Sequence, residues 1–136
     1  MVDYDSLYRR RKSLERDQGA VEGEITQLQK KLTILDDAYK HLKEEKTRFG
    51  WIKTAVSDAY KRVSYWQGNN YNAFTNEYNN TMGDCEALHG QIDRILDNIN
   101  WKRNDLNRQI AYKQSLLKGI LSNLRSIGTQ LENWKN

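Results

Sequence analysis

Residues 21–49 read VEGEITQLQKKLTILDDAYKHLKEEKTRF, and every seventh one is apolar: Val21, Leu28, Leu35, Leu42 and Phe49. Spacing by seven keeps one stripe of a helix turned toward a partner helix. Followed outward, the stripe takes in Leu7 and Leu14 on one side and Val56 and Val63 on the other, nine heptads without a miss. The position three residues before each is mixed. Tyr4, Ile25, Leu32, Tyr39 and Tyr60 fit an apolar seam, whereas Arg11, Gln18, Lys46 and Lys53 do not. Residues 3–65 therefore read as one long helix, with Gly50 as a place where it could bend. At 1.5 Å per residue it would run about 90 Å. Gly19 and Gly23 within it should each cost about 0.8–1 kcal/mol relative to alanine, which marks a softer N-terminal third.

The second half repeats the pattern. Tyr71, Tyr78, Cys85, Ile92, Ile99, Leu106, Ile120, Ile127 and Trp134 fall seven apart, with Lys113 out of character. Leu88 and Ile95 widen this stripe on one side; Leu96, Ile110, Leu117, Leu124 and Leu131 widen it on the other. That change of side reads as a shift of supercoil phase near Trp101, within a second helix over 70–133. Between the helices lies Trp66-Gln67-Gly68-Asn69-Asn70. Glycine and asparagine tolerate positive φ, and asparagine caps helices well. If the arms fold back on each other, facing residues have numbers with a constant total. The two stripes obey one total, 134, from Val63 with Tyr71 through Leu42 with Ile92 to Leu7 with Ile127. The fold expected is all-α: a single domain, 1–136, forming an antiparallel two-helix hairpin.

Composition agrees with a slender helical protein. The 136 residues are 38% hydrophobic and 29% charged and contain no proline. An average globular chain is roughly 45–50% apolar, so core material is scarce here. Net charge is +4, spread over both halves, which is below what a nucleic-acid-binding surface carries. The cluster Arg9-Arg10-Arg11-Lys12 could meet phosphates or an anionic lipid surface; it also reads as a solvated helix face balanced by Glu15 and Asp17. No apolar run reaches the ~18–20 residues of a membrane span, and the start, Met1-Val2-Asp3-Tyr4-Asp5, has no apolar h-region of a Sec signal peptide. A single cysteine, Cys85, excludes an internal disulfide framework.

Enzymatic chemistry is not expected. The chain lacks a phosphate-binding glycine loop, a nucleophile elbow and the HExxH pattern. His41, His89, Asp93 and Cys85 could be drawn into a metal site midway along the hairpin, but Cys85 falls on the seam, where a small apolar side chain fits. Neither a metal nor a cofactor is expected. What stands out instead is a broad apolar face near the turn, formed by Trp51, Ile52, Ala55, Ala59, Tyr60, Trp66, Tyr71, Phe74 and Met82. Two helices alone cannot cover it, and a patch of that breadth marks an interaction surface.

A proline-free helical hairpin with Trp66 and Gly68 at its turn, followed by Tyr71, Phe74 and Tyr78, resembles the WxG family of type VII (ESX/Yuk) secretion substrates. The length and the stretch Trp66-Gln67-Gly68-Asn69-Asn70-Tyr71-Asn72-Ala73-Phe74 resemble the YwqH-like branch more closely. The resemblance implies hairpins that pair into four-helix bundles. It implies a helical targeting partner for an LXG-type toxin or another long-helix substrate, with a second small helical protein or a homodimer as further assemblies. It also implies a cytoplasmic protein co-secreted through type VII machinery, without nucleic acid and without membrane insertion. Partner-binding anchors would be Trp66, Gly68, Tyr71, Phe74 and Trp51. A family export pattern, His-x-x-x-Asp-x-x-hydrophobic-x-x-x-His, is matched by His89, Asp93 and Leu96, with Asn100 in place of the last histidine; Trp101 and Asp105 form an aromatic variant of Tyr-x-x-x-Asp/Glu. Read without the family, these are a surface His–Asp pair and a packed tryptophan. A structural homodimeric coiled coil with no part in secretion is the alternative function.

Overall fold

The computed structural model describes residues 3–63 and 71–135. Helix α1 spans Tyr4–Val63 and α2 spans Tyr71–Lys135, against 3–65 and 70–133 from the periodicity. Among the described residues there is no strand, and the two helices pack against each other as a helical hairpin. Asp3 starts α1: its carboxylate accepts the Asp5 N–H at 2.7 Å, and its carbonyl accepts the Leu7 N–H. That satisfies donors a helix start otherwise leaves open. Gly19, Gly23 and Gly50 sit inside α1 without interrupting it, and no described glycine has positive φ. The expected turn, 66–70, lies outside the described residues.

The chain forms two compact units. A terminal unit joins Met1–Ile34 to Arg103–Asn136, and a central unit comprises Leu35–Lys102. In the terminal unit Leu7, Ile127 and Leu131 are buried together, with Leu14 packed against them. Leu7 was expected opposite Ile127. It sits between Ile127 and the residue one turn further on, as a knob does in the hole of a facing helix. Ile25, Leu106 and Ile110 are also buried in this unit.

The phase shift expected near Trp101 is absent. Buried and half-buried positions of α2 alternate three and four apart without a break, as Thr75, Tyr78, Met82, Cys85, His89, Ile92, Leu96, Ile99 and onward to Leu131. Leu88 and Ile95 lie off this seam and are exposed. Of the two stripes that seemed to change side, the one through Leu96, Ile110, Leu117, Leu124 and Leu131 is a seam row, and the one through Leu88 and Ile95 is the flank beside it. Polar occupants at His89, Arg103 and Lys113 disguise the regularity. In α1 both seam rows likewise stay buried or half-buried from Leu7 to Tyr60, including Lys46 and Lys53.

Those seam lysines reach across to carboxylates on the other helix. In the central unit the Lys46 ammonium lies 2.5 Å from Asp93 and that of Lys53 lies 2.9 Å from Glu86. In the terminal unit Lys113 pairs with Glu24. A lysine stem covers apolar surface while its head stays wet, so a seam lysine fills the groove and binds the opposite helix at its edge. Lys53 is only 19% exposed at its side chain. The Lys46 hydrogen bond holds Asp93 below the ordinary carboxylate pKa, and the bond and charge of Lys53 do the same to Glu86.

Candidate interaction surface

The central unit carries most of the residues singled out by the sequence. Its seam is aromatic near the turn: Tyr60 stacks on Tyr78 with ring centroids 3.9 Å apart and on Phe74 at 5.7 Å. The Tyr60 hydroxyl lies 3.3 Å from that of Thr75, so its polar end is partnered. Three layers further from the turn, Phe49 stacks on His89 at 6.5 Å. Phe74 therefore serves the seam and is also partly exposed.

The anchors proposed from sequence fall into three groups. Trp66 and Gly68 lie outside the described residues. Tyr71 is the first residue of α2; its side chain is likewise outside them. Trp51 points to solvent, with 69% of its surface open. The export-pattern residues are also split. His89 sits on the seam, its Nδ1 3.8 Å from Asp93. Asp93 is taken up by Lys46. Leu96 is buried, Trp101 is exposed, and Asp105 accepts a hydrogen bond from Gln109 at 2.8 Å.

The other sequence candidates disperse. His41 faces outward 3.9 Å from Glu44 and does not join His89 and Asp93. No described group of three His, Cys, Asp or Glu residues is arranged to hold a metal ion. Within the basic cluster, Arg11 is drawn to Glu15 and lies over the Tyr8 ring, as does Lys12. No described helix is long and apolar enough to cross a membrane.

An apolar flank takes shape beside the central seam. With the seam positions labelled a and d, Ile52 and Ala59 of α1 and Leu88 and Ile95 of α2 all occupy position g. In an antiparallel pair the two g rows border the same side. The terminal unit shows this directly, because the g residues Glu24, Lys31 and Gln109 line one shallow groove. Ile52, Leu88 and Ile95 remain 59%, 45% and 48% exposed, and Trp51 adjoins Ile52. The opposite side, at position e, carries Glu86 and Asp93 of the lysine pairs. So the central unit has a polar, ion-paired side and an apolar, uncovered one. The sequence reading placed Ile52 and Trp51 on the interaction face but not Leu88 and Ile95, which it took as a widening of the α2 stripe on one side. Their offset of one position from the regular 3–4 spacing was the available signal.

No curated protein and no solved structure matches the chain. The YwqH-like family matches residues 9–129, nearly the whole hairpin, and the chain belongs to that family.

Proposed function

We propose that this protein is a small helical partner and targeting factor for a type VII secretion substrate. It binds the N-terminal helical region of an LXG-type toxin, keeps that region folded, and accompanies it from the cytoplasm to the translocase. The observation that carries this reading is the uncovered apolar side of the central unit, where Ile52, Leu88 and Ile95 stay open to water, with Trp51 exposed on the neighbouring outer face of α1. Membership of the YwqH-like family supports it. At about 25 cal/mol per Å², such side chains gain several kcal/mol once a second helix pair covers them. The contact is one helix pair laid on another, a four-helix bundle, with no catalytic step.

Trp51 and Phe74 act as anchors on the described surface, with Trp66, Gly68 and Tyr71 completing the set at the turn. Trp101, exposed on α2, is the accessible member of the export pattern. Leu96 and His89 act from within the seam as its framework. A signal of this kind is completed by the toxin or by a second small helical protein.

The test is co-expression with the product of the neighbouring long open reading frame, with the mass of the complex read by light scattering. A defined heterocomplex that weakens on Trp66→Ala, at unchanged helicity, is expected. Equal binding by wild type and Trp66→Ala would remove the turn from the interface. A chain that ignores the toxin altogether would leave the structural coiled coil as its role.

A further inference from the structure

We infer that the position-e side of the terminal unit docks on an anionic phospholipid surface. It rests on the headgroups without crossing the bilayer. It uses none of the residues assigned above to the toxin.

The charge pattern of α2 points to that partner. Residues 106–131 contain no aspartate or glutamate, in a chain that has 18 of them, yet they hold Arg108, Lys113, Lys118 and Arg125. Lys113 is taken up by Glu24 across the seam. Lys118 and Arg125 stand at position b, on the outer edge of the e row, and no carboxylate lies within four residues of either. Leu121, at position e, lies between them on the same face and stays 40% exposed. Leu117, Lys118, Leu121, Ser122 and Arg125 line one shallow groove.

Helix α1 continues the pattern on the same side. Leu7 packs against Ile127 and Leu131, and Glu24 reaches Lys113, so Lys12 at position b stands level with Arg125 to within one turn. Tyr8, at position e, is 38% exposed, and the α2 residue at its level in the facing e row is Gly128, which has no side chain to cover the ring. Arg11 and Lys12 each place their charge 5.2 Å from the centre of that ring. The one carboxylate on this side between the levels of Tyr8 and Leu121 is Glu15. It lies 3.7 Å from the Arg11 Nε, beyond hydrogen-bond reach, and that buried N–H has no acceptor among the described residues. Asp5 and Glu132 stand beyond the patch, toward the chain ends.

Lys12, Lys118 and Arg125 thus rim a narrow apolar strip made of Tyr8 and Leu121. That arrangement complements a bilayer surface: the cations meet lipid phosphates while the leucine and the tyrosine ring reach into the headgroup layer. A nucleic-acid strand offers phosphates but nothing for an exposed leucine, and base stacking calls for successive aromatic platforms where this strip has one. Each basic side chain near an anionic leaflet is worth about fivefold in affinity. Three of them with a short apolar strip give a reversible, salt-sensitive attachment.

Co-sedimentation of the full chain with large unilamellar vesicles tests this. Binding is expected to phosphatidylcholine vesicles containing roughly one-third phosphatidylglycerol and not to phosphatidylcholine alone, and it should fall as added salt screens the charges. Lys118→Gln with Arg125→Gln should weaken it about 25-fold, and Leu121→Ser about threefold. Circular dichroism should not change, because all three side chains are exposed already. Arg10→Gln with Lys31→Gln removes the same charge from the position-g side and should leave binding within about twofold of wild type. Failure to bind the anionic vesicles overturns the proposal. So does equal weakening by the two charge pairs, binding indifferent to Leu121→Ser, or tighter binding to a single-stranded oligonucleotide than to the vesicles.

Discussion

Alanine in place of Gly23 in α1 and of Gly83 in α2 should stabilise the protein. Both glycines lie inside long helices, neither has positive φ, and a Cβ added at either meets nothing within 4 Å. The full helix-propensity difference is then available, about 0.8–1 kcal/mol per site, drawn partly from the smaller freedom of the unfolded chain. Gly23 belongs to the terminal unit and Gly83 to the central one, so the two effects should add, to roughly 1.6–2 kcal/mol. For a chain of this size each substitution should raise Tm by about 3–5 °C. Thermal and urea unfolding followed by circular dichroism at 222 nm would show it. An unchanged or lowered Tm for either variant would refute the reasoning, because it would mean that the position needs a backbone conformation or a close approach unavailable to alanine. A stabilised Gly83→Ala variant that loses partner binding would show that the glycine is kept for the complex and not for the hairpin.

Leu7→Ala and Ile127→Ala should each destabilise by about 2–3 kcal/mol in urea titrations, because both belong to the one buried cluster near the chain ends. Their double variant should cost less than the sum, since they share a contact. Asp93 and Glu86 are held below their ordinary pKa by Lys46 and Lys53. Their contribution is therefore complete above the unfolded-state pKa, about 4, and is lost as pH falls through the lower folded values. Tm should be level from neutral pH down to about 5 and fall below about 4, and the Glu86→Gln, Asp93→Asn double variant should fall less steeply. Lys53→Glu should lower Tm by placing like charges across the seam, and Lys53→Glu with Glu86→Lys should recover most of the loss. Trp51→Ala should leave stability within about 0.5 kcal/mol, since the side chain is already in water.

The hairpin was legible because its signal is long. Nine heptads in α1 tolerate four polar interruptions and still define a helix, and the same period in α2 gives the direction of the return. Pairing was legible to within a turn: Leu7 does meet Ile127, and also Leu131. What one row of apolar residues could not show was how the gaps in the other row are filled. Lys46 and Lys53 look like faults in an apolar pattern, yet each lies along the groove toward a carboxylate that the pattern ignores. The same blindness made Leu88 and Ile95 a widening of the α2 stripe, because a stripe drawn by hydrophobicity alone takes in a leucine at 88 and passes over a histidine at 89. The structure prefers His89, whose ring stacks on Phe49 while Leu88 is left outside. The exposed apolar row was thus half visible: Ile52 was read as facing outward, Tyr60 was read onto the same face but belongs to the seam, and Leu88 and Ile95 were read as a widening of the seam stripe.

The seam lysines also answer a question that strict apolar heptads raise. A perfect seven-residue repeat pairs as well after a slip of one heptad as before it, since every apolar layer meets another. The ion pairs remove that degeneracy. In the central unit, a slip one way keeps Lys46 beside a carboxylate, Glu86, but sets Lys53 opposite Asn79 and leaves Asp93 facing Tyr39. A slip the other way keeps Lys53 beside Asp93 but sets Lys46 opposite Asn100. In the terminal unit, one of the two slips brings Lys113 onto Lys31 in place of Glu24. Exposed ion pairs contribute little to stability singly, so their value here lies in the gap between registers. A hairpin that must present Ile52 level with Leu88 needs one register, and polar residues in the seam supply it where more leucine would not.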